Sequence, residues 1–547
     1  MNNKSNKKVL MSSICQPFGP KHGDGFGTSY EGTHQIMWAQ GIFRTRATTT
    51  QWGIDFIAHN IQAPATTLHY PTMKRFIAEI KKGYDYIGIA FVATTKHKMV
   101  PMVEAIRRYA PNSEIILGGY GTALPDEDIA QYADHICRVE GVGFMRELLG
   151  EDVDAPINQP YIKQQTKLFN LNLGGPVGYV FAGLGCPHGC DFCATSHFFK
   201  RKHIRFLRDG NAILRAIKAL RATDPDMVDF WLNDEDLLLN KKRGMGFLEA
   251  IRESDLPPLA ISAFSSVKAL SQYKASELVE MGVDWVWVGY EGQRAGYAKM
   301  EGRSYEELFA DLRAHGISVM ASMIIGFDYQ TPEIIAEEFE DLLKLGPTMS
   351  QFLIYGPAHG TPLFKRMQDE GRLNAAAFAD SSQLDGFSLT FEHPNIGKEE
   401  MEALQKHLYQ EEFRRLGPAI FRVADTYLEG AINLADHPAP RVRAKAKAYA
   451  EIARRGRMVI PAAMRYVSPE ARVFLDGLSA RMAAHTRPFD AKERALAALA
   501  PALLWYTGFK MRHGIGEQPT FSMKSWRVGE PVCVREAAPL VLASQTE

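Results

Sequence analysis

The sequence predicts an α/β protein built from two successive parallel sheets and closed by a helical region. Strand-like and helix-like runs alternate through the first 150 residues, a second series of six strand–helix units begins at Val177, and the strand pattern fades after about residue 375. Strands that alternate with helices imply parallel pairing through crossover helices, and hence ligand sites at the carboxyl ends of the strands.

In chain order, the first series has strand-like runs at Val9–Ile14, Ile54–His59, Tyr86–Ala93, Glu114–Gly118 and His135–Val139, with helical patterns at Thr72–Lys82 and Met99–Ala110. This predicts a doubly wound, Rossmann-like domain over residues 1–150. Residues 151–175, with Pro156, Pro160 and the pair Gly174–Gly175, read as a linker. The second series has strands at Val177–Ala182, Met227–Leu232, Leu259–Ala263, Trp285–Gly289, Val319–Ile325 and Gln351–Tyr355. Helical patterns between them include Asn211–Ala222, Gly246–Ser254, Tyr305–His315 and Glu333–Leu345. A (β/α)6 partial barrel over 176–375 is expected, with its chemistry at the strand C-termini. Lys398–Leu416, Pro440–Arg454 and Ser468–His485 carry helical periodicity, so 376–547 is expected to be a mainly helical domain. The apolar segment Ala495–Trp505 is short and contains Pro501, which suits a buried or interfacial helix and not a membrane span.

Lys+Arg and Asp+Glu each number 63, so the net charge is zero. No global field draws the chain to nucleic acid or to an anionic membrane, and neither is an expected partner. The basic N-terminus, MNNKSNKK, is followed by no apolar signal segment, so a cytoplasmic protein is expected. The glycine-rich stretch Gly19–Gly32 lacks G-x-x-x-x-G-K-[ST], which excludes a P-loop.

Chemistry concentrates in Gly185-Cys186-Pro187-His188-Gly189-Cys190-Asp191-Phe192-Cys193, directly after the first strand of the second series. Three of the six cysteines fall within these nine residues; Cys15, Cys137 and Cys533 are scattered. Structural zinc wants four ligands, usually in two separated pairs; His188 or His197 could supply a fourth, but the pairing is wrong, and a ferredoxin site wants a fourth cysteine, which is not near. Three thiolates on one loop can instead hold three irons of a cubane and leave the fourth open to a cofactor. Gly185, Pro187 and Gly189 suit a loop that curls around an inorganic core.

The C-x3-C-x-φ-C spacing, with aromatic Phe192 before Cys193, resembles the signature of the radical S-adenosylmethionine superfamily. The resemblance implies a [4Fe–4S] cluster on Cys186, Cys190 and Cys193 that binds and reductively cleaves S-adenosylmethionine. Further matches sit at strand ends. Asn233-Asp234-Glu235-Asp236 follows the second strand, where the family contacts the methionyl ammonium. Val288-Gly289-Tyr290-Glu291 resembles the family's G-x-E, and Ser322-Met323-Ile324-Ile325-Gly326 its G-x-I-x-G beside adenine, with Ser in place of the first Gly. Contacts to S-adenosylmethionine are thus expected from Phe192, Asp234, Glu235, Glu291, Ser322 and Gly326. Gly356–Leu363 resembles the P-x-x-G-T-P-L run of the subgroup with an N-terminal cobalamin domain.

Residues 1–150 resemble that cobalamin domain at three loops. Thr94 and Thr95 end a strand along the expected corrin edge. Gly118 and Gly119 form the Gly-Gly turn, where a missing Cβ admits the nucleotide tail. Glu140 and Gly141 lie in a partly eroded G-E-G-E loop. The region lacks D-x-H-x-x-G, so cobalamin is expected to bind without a histidine from residues 1–150 on cobalt. The resemblance implies methylation of an unactivated carbon in a small-molecule or lipid-like biosynthetic intermediate, with electrons from a donor such as flavodoxin or ferredoxin. It leaves two alternatives: cyclisation or oxidation without net methyl transfer, and a non-catalytic cobalamin sensor.

Overall fold

The computed structural model describes residues 7–26, 34–47, 51–169, 171–172, 174–292, 294–527 and 533–536. Part of the Gly19–Gly32 stretch and the side chain of Cys533 lie outside the described residues.

The first sheet has five parallel strands in the spatial order Ala65–His69, Val9–Ser13, Tyr86–Ala90, Glu114–Gly118 and His135–Ile136. Alternate residues of a strand face opposite ways, and here both faces are buried. Leu10, Ile87, Ile89 and Leu117 pack on Phe76, Ile80, Met99 and Ile106 from the helices Met73–Ile80 and Lys96–Tyr109. Val9, Met11, Tyr86 and Ile116 pack on Ile54, Ala58, Met145 and Leu149 from the helices Trp52–His59 and Gly141–Leu149.

One expected strand is therefore a helix. Ile54–His59 lies within Trp52–His59, where Ile54 and Ala58, one turn apart, face the same cluster; a short apolar run does not reveal its own period. The strand is Ala65–His69, masked in the sequence by its polar residues. Thr67 and His69 are buried because both bond Asp55 Oδ1, at 2.8 and 2.9 Å.

Six strands of the second sheet pair in parallel and in chain order: Pro176–Phe181, Asp229–Asn233, Ala260–Ser265, Val283–Gly289, Ser318–Ile325 and Met349–Ile354. Helices including Gly210–Thr223, Lys241–Arg252, Tyr305–Ala314 and Pro332–Leu345 cover the outer face, where Phe230, Leu232, Ile261, Val286 and Val288 are buried. The inner face carries a chain of rings, Trp231, Phe264, Trp287 and Trp285, with centroids 4.9–6.2 Å apart. Ile36 and Met37 pack against the two tryptophans Trp285 and Trp287.

Three segments cross the expected boundaries. Lys163–Leu168, read as linker, is a strand antiparallel to Pro176–Phe181, and Thr45–Ala47 pairs with it to make the second sheet eight-stranded. Ser522–Trp526, from the region expected to be helical, joins the first sheet antiparallel to Ala65–His69. Lys524 there ion-pairs with buried Asp55, and Trp526 donates to Thr67 Oγ1 at 3.1 Å. Cys533–Glu536 pairs antiparallel with Ser522–Trp526 to make the first sheet seven-stranded, and the helices of the C-terminal region are Lys398–Leu416, Ala419–Asn433, Pro440–Arg457, Pro469–His485 and Ala491–Arg512. Ala495–Trp505 lies in the last of these, with Leu504 buried and Leu499 exposed. Among the described residues no helix is long and apolar enough to cross a membrane.

Candidate active site

The cysteine loop leaves the first strand of the curled sheet and ends at the helix Ala194–Phe198, with Cys193 at the helix cap. Gly185 and Gly189 have φ of 79° and 73°, and a Cβ on Gly185 would stand 2.2 Å from the Lys202 carbonyl; only glycine fits such positions. Ser196 staples the loop: its hydroxyl donates to the Cys186 carbonyl at 2.7 Å and accepts from Gly189 N at 3.1 Å. Cys193 N donates to the Cys190 carbonyl at 3.0 Å. Among the described residues, no three His, Cys, Asp or Glu side chains converge as ligands of one metal ion would. A cubane asks for something different, because each thiolate takes its own iron and the sulfurs surround a volume. Burial, followed by the neighbouring Cys193 and the carboxylates Asp236 and Glu235, pushes the Cys186 thiol up to about 12; burial likewise pushes Cys190 up to about 11.

The acidic run turns out of the sheet after the second strand, with Asp236 N donating to Asp234 Oδ1 at 3.2 Å, and its side chains divide their roles. Asp234 is buried, with Oδ2 bonded by Arg243 at 2.7 Å and His203 at 3.1 Å. Burial alone would raise its carboxyl, but His203 and Arg243 outweigh that and hold it below the usual carboxylate range. Removing one partner of such a buried pair costs about 3–5 kcal/mol. Asp236 binds His188 of the cysteine loop at 2.9 Å and the Ser266 hydroxyl at 2.6 Å. Glu235, between them, lies close enough to Cys186 and Cys193 to raise both thiols, and burial followed by Asp234 pushes its own carboxyl up to about 7.

Glu291 lies two residues beyond the fourth parallel strand with φ 59°, its N–H donating to the Ser322 carbonyl at 3.0 Å. One carboxylate oxygen pairs with Lys299; the other, Oε2, is buried without a partner. Ser322 itself donates to Gln351 at 2.9 Å. Gly326 turns the chain at the next strand end with φ 96° and donates to Gln330 at 2.6 Å. Phe192 packs edge-on against Tyr297 and Tyr355, at 5.3 and 5.9 Å. Both tyrosine hydroxyls donate to Asp191, at 2.7 and 2.8 Å, and Leu363 N donates to the Asp191 carbonyl at 3.1 Å. The G-T-P-L run therefore anchors the cysteine loop. Sequence reasoning missed Lys299, Tyr297 and Tyr355, which carry no motif.

Thr94, Thr95, Gly118, Gly119, Glu140 and Gly141 all line one cavity of about 560 Å³ at the carboxyl ends of the first sheet. Phe198 and Phe199, from the far side of the cysteine loop, complete its wall, and among the described residues no histidine lines it. Gly118 opens into space, since a Cβ there would meet nothing within 4 Å. Gly119 has φ 84°, and its Cβ would stand 2.6 Å from the Phe91 carbonyl. Glu140 caps the helix Gly141–Leu149, accepting from Val142 N and Gly143 N at 2.6 and 2.7 Å. A second cavity, about 290 Å³, shares Ala93, Tyr120 and Leu384 with the first and reaches Phe192, Ala194 and Tyr355.

No family model matches the chain. Its fold aligns over 82% of its length with 99% of a radical S-adenosylmethionine methyltransferase, TsrM from Kitasatospora setae, solved with tryptophan substrate and an S-adenosylmethionine analogue (TM-score 0.52, 13% identity). It aligns over 93% of its length with 81% of OxsB, a cobalamin-dependent S-adenosylmethionine radical enzyme (TM-score 0.50, 14% identity). The chain has the fold of the cobalamin-dependent radical S-adenosylmethionine enzymes. Among curated proteins, the chain is 23% identical over 265 residues, 47% of its length, to bacteriochlorophyllide d C-12(1)-methyltransferase of Chlorobaculum tepidum. It is 24% identical over 337 residues, 52% of the chain, to an anaerobic magnesium-protoporphyrin IX monomethyl ester cyclase of Rubrivivax gelatinosus. The chain spans about half the length of these curated relatives, 54% and 59%.

Proposed function

We propose that the chain is a cobalamin-dependent radical S-adenosylmethionine methyltransferase acting on an unactivated carbon of a small-molecule or lipid-like intermediate. Cobalamin belongs in the 1–150 layer, the cluster and S-adenosylmethionine in the 176–375 half-barrel, and the 376–547 region encloses the substrate. The observation that carries this reading is the junction at Tyr120, where a cavity at the strand ends of the first sheet meets one that reaches the cysteine loop. When bound, the cluster with S-adenosylmethionine supplies a carbon-centred radical and cobalamin supplies the methyl group.

The chain's own residues bind, orient and shield. Cys186, Cys190 and Cys193 hold the cluster. Glu291 offers its unpartnered Oε2 to the methionyl ammonium, a charge-assisted bond, and Glu235 offers a second carboxylate on the cysteine side. Asp234 acts through Arg243 and His203 to fix that strand end. Phe192, Ser322 and Gly326 form the adenine side. Thr94, Thr95, Gly118, Gly119, Glu140 and Gly141 line the corrin edge and nucleotide tail, and Tyr120, Phe198 and Phe199 keep water from the junction. A low-potential donor such as flavodoxin or ferredoxin supplies the electron. The cyclase relative supports a second reading, reaction without net methyl transfer; a product heavier by one methylene unit separates the two.

The histidines near the first sheet are engaged elsewhere: His69 with Asp55, His135 with Glu114, His97 beside Asp24, and His59 against Trp526. The protein isolated with hydroxocobalamin is therefore expected to retain corrinoid and, reduced to cob(II)alamin, to show an electron paramagnetic resonance spectrum free of nitrogen superhyperfine splitting. Splitting from an imidazole rejects the unligated cobalt; failure to retain corrinoid rejects the cobalamin assignment.

A further inference from the structure

We propose that the helix Ala491–Arg512 is a docking surface for an anionic lipid bilayer, with its outward apolar face seated in the membrane surface. The inference stands apart from the radical reaction proposed above. At about 3.6 residues per turn, Ala500, Leu504, Thr507 and Gly508 share the inward face, and all four are buried. Leu504 belongs to the buried cluster of the helical region, and Thr507 Oγ1 donates to the Phe169 carbonyl at 3.0 Å. The opposite face carries Ala495, Ala498, Leu499, Ala502, Trp505 and Tyr506, all exposed, with Leu499 at 62% and Trp505 at 60%. A helix that is apolar all round belongs inside a protein or a membrane; this one is covered on one side only.

Cations border the outward face on both sides. By the same helical period, Lys492 and Lys510 share one edge, and Arg494 and Arg512 the other. Lys510 Nζ lies 5.4 Å from the Tyr506 ring centroid. Glu493, the helix's one carboxylate, is turned inward and pairs with Arg454 and Arg487. Asp490 caps the helix, accepting from Glu493 N at 2.8 Å. The zero net charge, from which no membrane partner was expected, thus hides a local excess of positive charge. Trp and Tyr favour the boundary between hydrocarbon and water, and Lys and Arg are drawn to anionic headgroups. That combination suits a helix lying in the interface, and this helix is not apolar enough to cross. A second copy of the chain would set the same four cations against these; an anionic bilayer supplies the opposite charge. The inward face already holds the helix in place, so docking orders little new structure.

The test is flotation of the full chain with vesicles of phosphatidylcholine alone, and of phosphatidylcholine and phosphatidylglycerol in equal parts. The unsubstituted protein is compared with the double variants Leu499→Ser with Trp505→Ser and Lys492→Gln with Lys510→Gln. Circular dichroism first checks that each keeps its helical content, as surface substitutions should. The unsubstituted protein is expected to float with the mixed vesicles and far less with phosphatidylcholine alone. Each double variant should need at least about ten times as much lipid for half-maximal binding, and the lysine variant should also lose part of the salt sensitivity. Failure of the unsubstituted protein to float with the mixed vesicles overturns the proposal, as does undiminished flotation of the Leu499→Ser, Trp505→Ser protein. A concentration-dependent dimer in analytical ultracentrifugation that these same two substitutions abolish would make a second copy the occupant, and would overturn it as well.

Discussion

Cys190→Ala is expected to reduce S-adenosylmethionine cleavage to background and to leave the chain without a full complement of cluster iron. Cys190 is buried, 8% exposed, and its carbonyl is held by Cys193 N at 3.0 Å and by His197 Nε2 at 3.1 Å. Those bonds use the backbone, so alanine keeps the loop and removes one thiolate of three. Two thiolates leave a second iron without a protein ligand, and the difference between the open iron and the others is lost. Cys15 and Cys137 serve as controls. Cys15 packs in the core of the first sheet, and Cys137 Sγ donates to the Val139 carbonyl at 3.6 Å. Their serine variants should assemble a normal cluster. Iron and sulfide assays with chromatography of 5′-deoxyadenosine check each case, and full cleavage by Cys190→Ala would sink the mechanism.

Gly118→Trp is expected to weaken corrinoid binding at least tenfold, about 1.4 kcal/mol, while cluster content and folding stay normal. Gly118 ends its strand with ordinary backbone angles and open space where a Cβ would be. The indole therefore enters the 560 Å³ cavity it lines without strain. Gly119 is the wrong choice for this purpose. Its left-handed backbone and the nearby Phe91 carbonyl would charge any side chain about 1–2 kcal/mol, and a binding loss there would mix folding with blockade. Corrinoid per chain is read by visible absorbance after gel filtration. Retention of corrinoid by Gly118→Trp would place the cofactor outside this cavity.

The barrel was legible because each of its six parallel strands buries apolar residues on its outer face and is followed by a helical pattern, and the cysteine loop because three thiols in one short stretch have few uses. Ala65–His69 was not, because Thr67 and His69 are buried by bonding Asp55 and not by being apolar. The return of Ser522–Trp526 to the first sheet depends on Lys524 meeting that same carboxylate, a partner 469 residues away that no local pattern announces. The run Asn233–Asp236 showed carboxylates at a strand end, but not which of them would face the cysteines. That depends on the turn after the strand: Asp234 is held by Arg243, Asp236 bonds His188 of the cysteine loop, and Glu235 stands near Cys186 and Cys193. Lys299 is invisible in sequence because only the fold brings it to Glu291 and to the Phe192 ring.

Electron delivery from the cluster to S-adenosylmethionine is tested most directly by the quantity of 5′-deoxyadenosine formed when the iron-loaded chain is reduced with dithionite in the presence of S-adenosylmethionine. The unsubstituted protein is expected to form 5′-deoxyadenosine and Cys190→Ala only background amounts; a fully loaded, reduced protein that forms none would contradict the proposed reaction.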